Sequence, residues 1–351
     1  MTLDPKKTSV VFLIALGLSA PIQAEENPLQ ASLRSGVEFD DNVNRESANP
    51  QSGFLSRYFV AFNTSTQPFE HARIRFNAKH GGKFFFENEL ANADTLVTQF
   101  SLAFEHQFLP ELMLDTHVDM KDRTERLPIR DYNRGGLGLG LSLSLADVRL
   151  RLGGAYRYFA FKPNPSSGSS NLESKANANW AISHAFSMSL GYTFARRLFE
   201  TDRFIQDGSE LRVDEGRVRT DDFHSVYLQA RYTGPFIASA TYSLSLNISN
   251  SFGQELLRQT LTTSATFPLW FDFFATIKLE LQRTSYEDPV LIDADFLVDE
   301  DNRNAVITSL ARGFGEHWEA ELRYSLFLQE FGVGADYQRQ TLFLAMAFLF
   351  D

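Results

Sequence analysis

The chain has 351 residues, of which 43% are apolar, 22% charged and 13% aromatic, with 33 Phe, no Cys and a formal charge of -11. Without Cys there are no disulfides, thiolate metal sites or Cys nucleophiles, and the acidic balance disfavours a nucleic-acid surface. A slightly negative mean hydropathy excludes a bundle of membrane-spanning helices, while so much Phe suits an apolar belt facing lipid.

The first element is a leader. Lys6 and Lys7 precede the apolar run Val10 to Leu18, followed by Pro21-Ile22-Gln23-Ala24. A basic start, a short apolar core and small or permitted residues before the cut predict a secretory signal cleaved after Ala24. The run is too short to span a bilayer. The expected organisation is residues 1–24 as signal peptide and 25–351 as a single barrel domain.

From residue 29 onward the pattern has period two. His71 to Lys79 places His71, Arg73, Arg75, Asn77 and Lys79 on one face and Ala72, Ile74, Phe76 and Ala78 on the other. Leu137 to Leu145 alternates Leu strictly with Gly and Ser, and Phe236 to Ile248 alternates apolar residues with Ser, Thr and Asn. Such alternation separates two faces of a strand and would scatter around a helix. It predicts about sixteen strands, near 29–39, 54–64, 71–80, 95–107, 112–122, 133–145, 148–160, 172–184, 186–198, 222–232, 236–249, 256–267, 271–283, 303–313, 318–328 and 338–350.

The connections alternate in length. Tight turns such as Leu109-Pro110-Glu111, Ala146-Asp147 and Gly234-Pro235 are separated by longer links at 40–53, 81–94, 123–132, 161–171, 199–221 and 284–302. An even strand number, short turns at one end and long loops at the other predict an all-β, antiparallel, up-and-down transmembrane barrel. Aromatic residues beside the tight turns, among them Phe69, Phe108, Trp270, Phe314 and Trp318, predict an interfacial girdle.

Catalytic patterns are weak. No G-x-S-x-G, H-E-x-x-H or dinucleotide signature is present, so neither an enzyme nor a cofactor is expected. Asp115, His117 and Asp119 share one face of one strand, which suits acid–base work in principle and a solvated lumen ladder more simply. The loop from Tyr286 to Asp301 is dense in carboxylates, but its spacing matches no calcium loop. A solvated acidic loop is the simpler account.

Parity predicts the lumen wall. Inward bases include Arg73, Arg75 and Lys79 on one strand, Arg149, Arg151 and Arg157 on another, and Lys278 and Arg323; inward acids include Asp115, Asp119, Glu280 and Glu321, with His117 among them. The parity of strand 303–313 is ambiguous. Bases outnumber acids on this face although the whole chain is acidic, which predicts a mild anion preference; the alternative is that these bases pair with lumen acids and only stiffen the wall. Gly136, Gly138, Gly140, Ser142 and Ser144 predict free space along one wall, into which loop 199–221 or 284–302 would fold, unless large side chains opposite fill the gap.

Three resemblances follow from these residues. Leu342, Leu344, Met346, Phe348 and Phe350 resemble the terminal-strand signal of bacterial outer-membrane proteins, which implies delivery by the barrel assembly machinery. Asp351 after the last aromatic departs from that pattern. Glu38-Phe39-Asp40-Asp41-Asn42-Val43-Asn44-Arg45 resembles the opening strand of surface lipoprotein assembly modifier barrels. That family usually carries helical tetratricopeptide repeats before its barrel, and here only Glu25 to Pro28 lie between the signal and the first strand. The chain as a whole resembles porin-like barrels. This implies a cell outer-membrane location, with outer-membrane lipid and lipopolysaccharide outside and a hydrophilic solute within. The function expected is a passive or gated channel; the alternative is the barrel of an apparatus exporting polysaccharide or lipoprotein.

Overall fold

The computed structural model describes residues 29–128, 130–164, 167–208, 210–288, 303–329 and 337–350. The leader and its cleavage point lie outside the described residues, as does most of the acidic loop. Sixteen antiparallel strands close into one barrel. They are β1 (Gln30–Asp40), β2 (Gly53–Phe69), β3 (Ala72–Phe85), β4 (Thr95–Leu109), β5 (Leu112–Glu125), β6 (Tyr132–Leu145), β7 (Val148–Phe161) and β8 (Ser169–Ala181). The second half comprises β9 (Phe186–Asp207), β10 (Glu210–Thr233), β11 (Ile237–Ser249), β12 (Leu256–Pro268), β13 (Phe273–Tyr286), β14 (Arg303–Phe314), β15 (Trp318–Gln329) and β16 (Gln338–Phe350). Each strand pairs with its neighbours in sequence, and β1 pairs β16 to complete the ring.

The register carries one face around the whole circle. Residues directly opposite in an antiparallel ladder point to the same side. Asp119 stands opposite Ser101 and Gly136, Gly136 opposite Arg157, Arg157 opposite Asn171, and Asn171 opposite Arg197. This face is polar and shielded, whereas Leu137, Leu139, Leu141 and Leu143 on the other stand exposed. A closed sheet exposing a continuous apolar outer face has no unsatisfied edge, which is the condition for crossing lipid with strands. Phe69, Phe108, Trp270, Phe271, Phe314 and Trp318 are exposed beside the short turns, forming the girdle.

Three expectations need correction. Residues 199–221 are not a loop. They continue β9 and β10, pairing from Glu210↔Asp207 to Thr220↔Leu198 with a register shift between Asp214 and Val218. Asp202 to Asp207 have ladder partners only on β10, because β8 ends its ladder with β9 at Ser169↔Phe199. A two-stranded ribbon roughly 25 Å long therefore extends beyond the rim. Its mixed charges face one another across the ribbon, as in the Arg203–Asp214 pair at 2.6 Å, which is why a charged sequence reads as loop and folds as hairpin. Second, residues 81–85 belong to β3, where Gly81 and Gly82 hid the alternation. Third, Phe271 and Asp272, the first residues of the predicted strand 271–283, lie in a short 3-10 turn, Trp270–Asp272, outside the strands.

Candidate pore wall

The wall begins at the seam where the barrel closes. Asp40, at the end of β1, accepts hydrogen bonds from the Arg339 guanidinium on β16, with Nε to Oδ1 at 2.9 Å. Both side chains are buried. Asp41 then exchanges bonds with Gln340: its own N–H donates to the Gln340 carbonyl at 3.1 Å, and its carboxylate accepts from the Gln340 N–H. Asn42 donates from Nδ2 to the carbonyls of Gln338 and Glu46. The Asp-Asp-Asn run that resembled an exporter's opening strand thus latches the first strand to the last. A charge-assisted fork of this kind is among the stronger polar contacts available.

Ion pairs continue along the same half of the wall. Arg57 donates to Glu38 at 2.7 Å, Arg34 bridges Glu319 and Glu321, and Arg323 donates to Glu321. Phe343 is buried between the guanidiniums of Arg57 and Arg323, at 5.9 and 5.6 Å from its centroid. On β3–β8, Arg75 pairs Glu105, Arg151 pairs Asp115, Arg157 bridges Asp119 and Glu173, and Lys175 pairs Glu173. Lys278 pairs Glu280 on β13.

The register therefore brings all thirteen sequence-selected residues to the inner face. It resolves the ambiguous strand too: Ala305, Ile307, Ser309 and Ala311 of β14 share that face with Glu280, Lys278 and Thr276. The structure joins Asp115 and Asp119 to arginines rather than to His117. The His117 ring lies across the backbone of Gly138, where any Cβ would overlap it. Carboxylates held by guanidiniums are not positioned to orient an imidazole.

The glycine run also differs from expectation. It does not leave free space: His117 covers Gly138, the Asp115–Arg151 pair crowds Gly140, and Arg157 lies against Gly136. Long side chains from neighbouring strands lie flat over glycine backbone, so the missing Cβ atoms let them pack against the wall.

The described inward loops are likewise not the predicted ones. A 3-10 helix, Asn88–Ala93, folds over the mouth so that Leu90 packs with the inward Leu55 and Phe85, flanked by Val43 and Ala93. Gly53 lies directly beneath Leu90, and a side chain there would overlap it. The Arg126 and Leu127 amides donate to the Asp94 and Asn92 carbonyls, tying this shelf to the β5–β6 loop. In that loop Asp131 accepts from the Glu125 N–H, and burial raises its carboxyl above the usual range.

Several inward charges escaped the sequence reading. Lys83, Arg123, Glu125 and Asp221 fell in segments read as loop, and all four lie on the inner face by register. Arg134 lay within a predicted strand, two residues before Gly136, so parity alone was enough to find it.

From β9 to β14 the wall changes character. Ser239 meets Ser264 at 2.8 Å, Thr266 meets Thr276 at 3.0 Å, Ser245 donates to Ser225, and Gln229 donates to Thr241. No two strands that are not ladder neighbours pack extensively against each other among the described residues.

No family model matches the chain, and no curated protein does. Among solved structures, it is similar to Acinetobacter baumannii OccAB3, at TM-score 0.50 and 11% identity over 93% of this chain and 100% of that one. OmpT, an outer membrane protein of Vibrio cholerae, gives TM-score 0.50 at 9% identity over 94% and 100%. The FrpB iron transporter of Neisseria meningitidis gives TM-score 0.50 at 11% identity over 94% of this chain and 71% of its own. The likeness is one of fold: this is a β-barrel of the bacterial outer-membrane type.

Proposed function

We propose that the protein is an outer-membrane channel through which hydrophilic solutes diffuse, with a mild preference for anions. One observation carries this reading: a ring of sixteen strands whose inner face is mainly polar and whose opposite walls do not pack extensively together among the described residues. Smaller barrels fill their interior with side chains, whereas sixteen strands enclose an aqueous lumen. Arg73, Arg149 and Arg231 lie near the short-turn end, with no carboxylate within ion-pair distance among the described residues. They would present net positive potential to entering ions.

The same reading includes the cleaved leader, insertion by the barrel assembly machinery through β16, and lipopolysaccharide against the outer belt. The pore-lining set is the inward one described above. The test is planar-bilayer recording of detergent-folded protein: stepwise conductance is expected, with a reversal potential across a KCl gradient on the anion side. A folded barrel without conductance steps would overturn the channel reading in favour of the export apparatus.

A further inference from the structure

One cross-strand row stands out in its charge balance. Lys79 on β3 is directly opposite Gln99 on β4, Gln99 opposite Lys121 on β5, and Lys121 opposite Arg134 on β6. All four point inward, since the same register sets Asn77, Ser101, Asp119 and Gly136 side by side one step along. Like charges directly opposite each other in a sheet are destabilising. Elsewhere along β3 to β7 other cations are matched, Arg75 by Glu105, Arg123 by Glu125 and Arg151 by Asp115, whereas Arg73 and Arg149 at the short-turn end are not. Lys79, Lys121 and Arg134 have no carboxylate within ion-pair distance among the described residues. The nearest inward acid along β5, Asp119, is held by Arg157 at 3.5 Å.

The geometry points to a subsite for a phosphate group on this row. The inference rests on the channel reading and names the class of solute. Adjacent strands lie about 4.8 Å apart, so the row spans roughly 14 Å of wall. Lys79 and Arg134 are exposed to the lumen, and Lys121 is steadied over the Tyr132 ring at 5.5 Å. Arg134 offers a planar fork of donors, Lys121 a compact charge beside it, and Gln99 an amide N–H between the two lysines. A monocarboxylate would neutralise one of these cations, whereas a phosphate dianion relieves the Lys121–Arg134 repulsion and accepts from both. In a wet lumen such a site binds weakly, as throughput requires.

The test uses the full barrel folded in detergent, with inorganic phosphate and glycerol phosphate as probes. Phosphate is expected to reduce the chloride current through single barrels, and the folded protein to broaden the phosphate ³¹P resonance. Lys121→Gln combined with Arg134→Gln should weaken both effects about tenfold. Arg196→Gln, on the outer wall beside Asp222, should change neither. Glycerol phosphate matching inorganic phosphate identifies a site for the group on an organic solute; inorganic phosphate acting alone identifies a site for the free ion. Equal broadening by the parent and the double variant overturns the proposal. The resonance decides the site even if no current is seen, an outcome that would remove the channel reading separately. Lys121→Gln alone should also raise the unfolding temperature of the barrel, because it removes the repulsion. A lower unfolding temperature would contradict the premise.

Discussion

From β15 through β1 to β8 the inner wall is held by guanidinium–carboxylate pairs, whereas from β9 to β14 it is held mainly by hydroxyls and amides. The rims differ in the same way. Above the charged half, the loops at 41–52, 86–94 and 126–131 are stitched into an inward shelf with its own apolar cluster. Above the hydroxyl half, β9 and β10 run on as a ribbon whose edge is met by Ser251 and Phe252 at Phe204. The contrast separates two tasks. Hydroxyl ladders satisfy one another at little cost and leave a smooth, wet surface between the few charges. Ion pairs fix long side chains in place, so the charged half closes the ring, and it holds Arg73 and Arg149, two of the three carboxylate-free cations near the short turns.

The largest effect should come from breaking the seam. Asp40→Ala leaves Arg339 buried without its partner and should destabilise the barrel by about 3 kcal/mol. Ser239→Ala, in the hydroxyl half, should cost no more than about 1 kcal/mol. Heat-modifiable gel migration at graded temperatures measures both, and equal losses would erase the distinction between the halves.

The rims offer the next test. Replacing residues 87–93 by a short Gly linker removes Leu90 from its place over Gly53 and should raise single-channel conductance. Trimming the ribbon at residues 203–214 should leave conductance unchanged, since those residues extend the hairpin beyond the wall. A rise on trimming the ribbon, with none on removing the shelf, would reverse the assignment.

These two loops also show what the sequence could and could not disclose. Barrel, strand parity and inward face follow from period-two alternation, because one side meets lipid and the other water. Sixteen strands and the inward placement of Arg73, Arg151 and Glu321 come from that alone. The ribbon was illegible because water faces both of its sides, so no apolar alternation marks Glu200 to Thr220. The shelf was illegible because Leu90 packs on Leu55 and Phe85, contacts that exist only once β2 and β3 are in register. The fate of the Gly136–Gly140 run was hidden for a similar reason. His117 and Arg151 reach it from neighbouring strands, and no local pattern reports that.

Selectivity should respond more modestly. Arg73→Gln with Arg149→Gln removes two carboxylate-free cations from the charged half and should move the reversal potential toward zero at low salt. The shift should shrink as ionic strength rises, since the Debye length falls to about 8 Å at 0.15 M. Thr262→Val in the hydroxyl half should not move it. A parent barrel that prefers cations would contradict the net charge assigned to this wall.

The smallest expected effect separates two carboxyls whose pKa values are both raised, one on each rim. Asp131, over the charged half, is raised first by burial, with the Glu125 amide and Lys162 opposing. Glu287, over the hydroxyl half, is raised first by its hydrogen bond with Glu255, then by the Glu255 charge, with desolvation and Asp288 following. A carboxyl raised on folding contributes stability below its unfolded pKa of about 4 and loses it as pH rises through the folded value. Both rims should therefore loosen slightly from acid toward neutral pH, but for different causes. Glu255→Gln removes the neighbouring charge and should largely flatten the pH dependence of amide-exchange protection, corrected for the intrinsic rate, at Glu287, whose N–H donates to the Glu255 carbonyl at 3.2 Å. The same variant should leave exchange at Glu125, whose N–H donates to Asp131, as pH-dependent as before. Added salt extends the contrast, because it screens the exposed Glu255–Glu287 repulsion and does little to a penalty that comes from burial. If both amides respond alike to Glu255→Gln or to salt, the two rims share one electrostatic origin and the division of the wall into halves does not extend to its mouth.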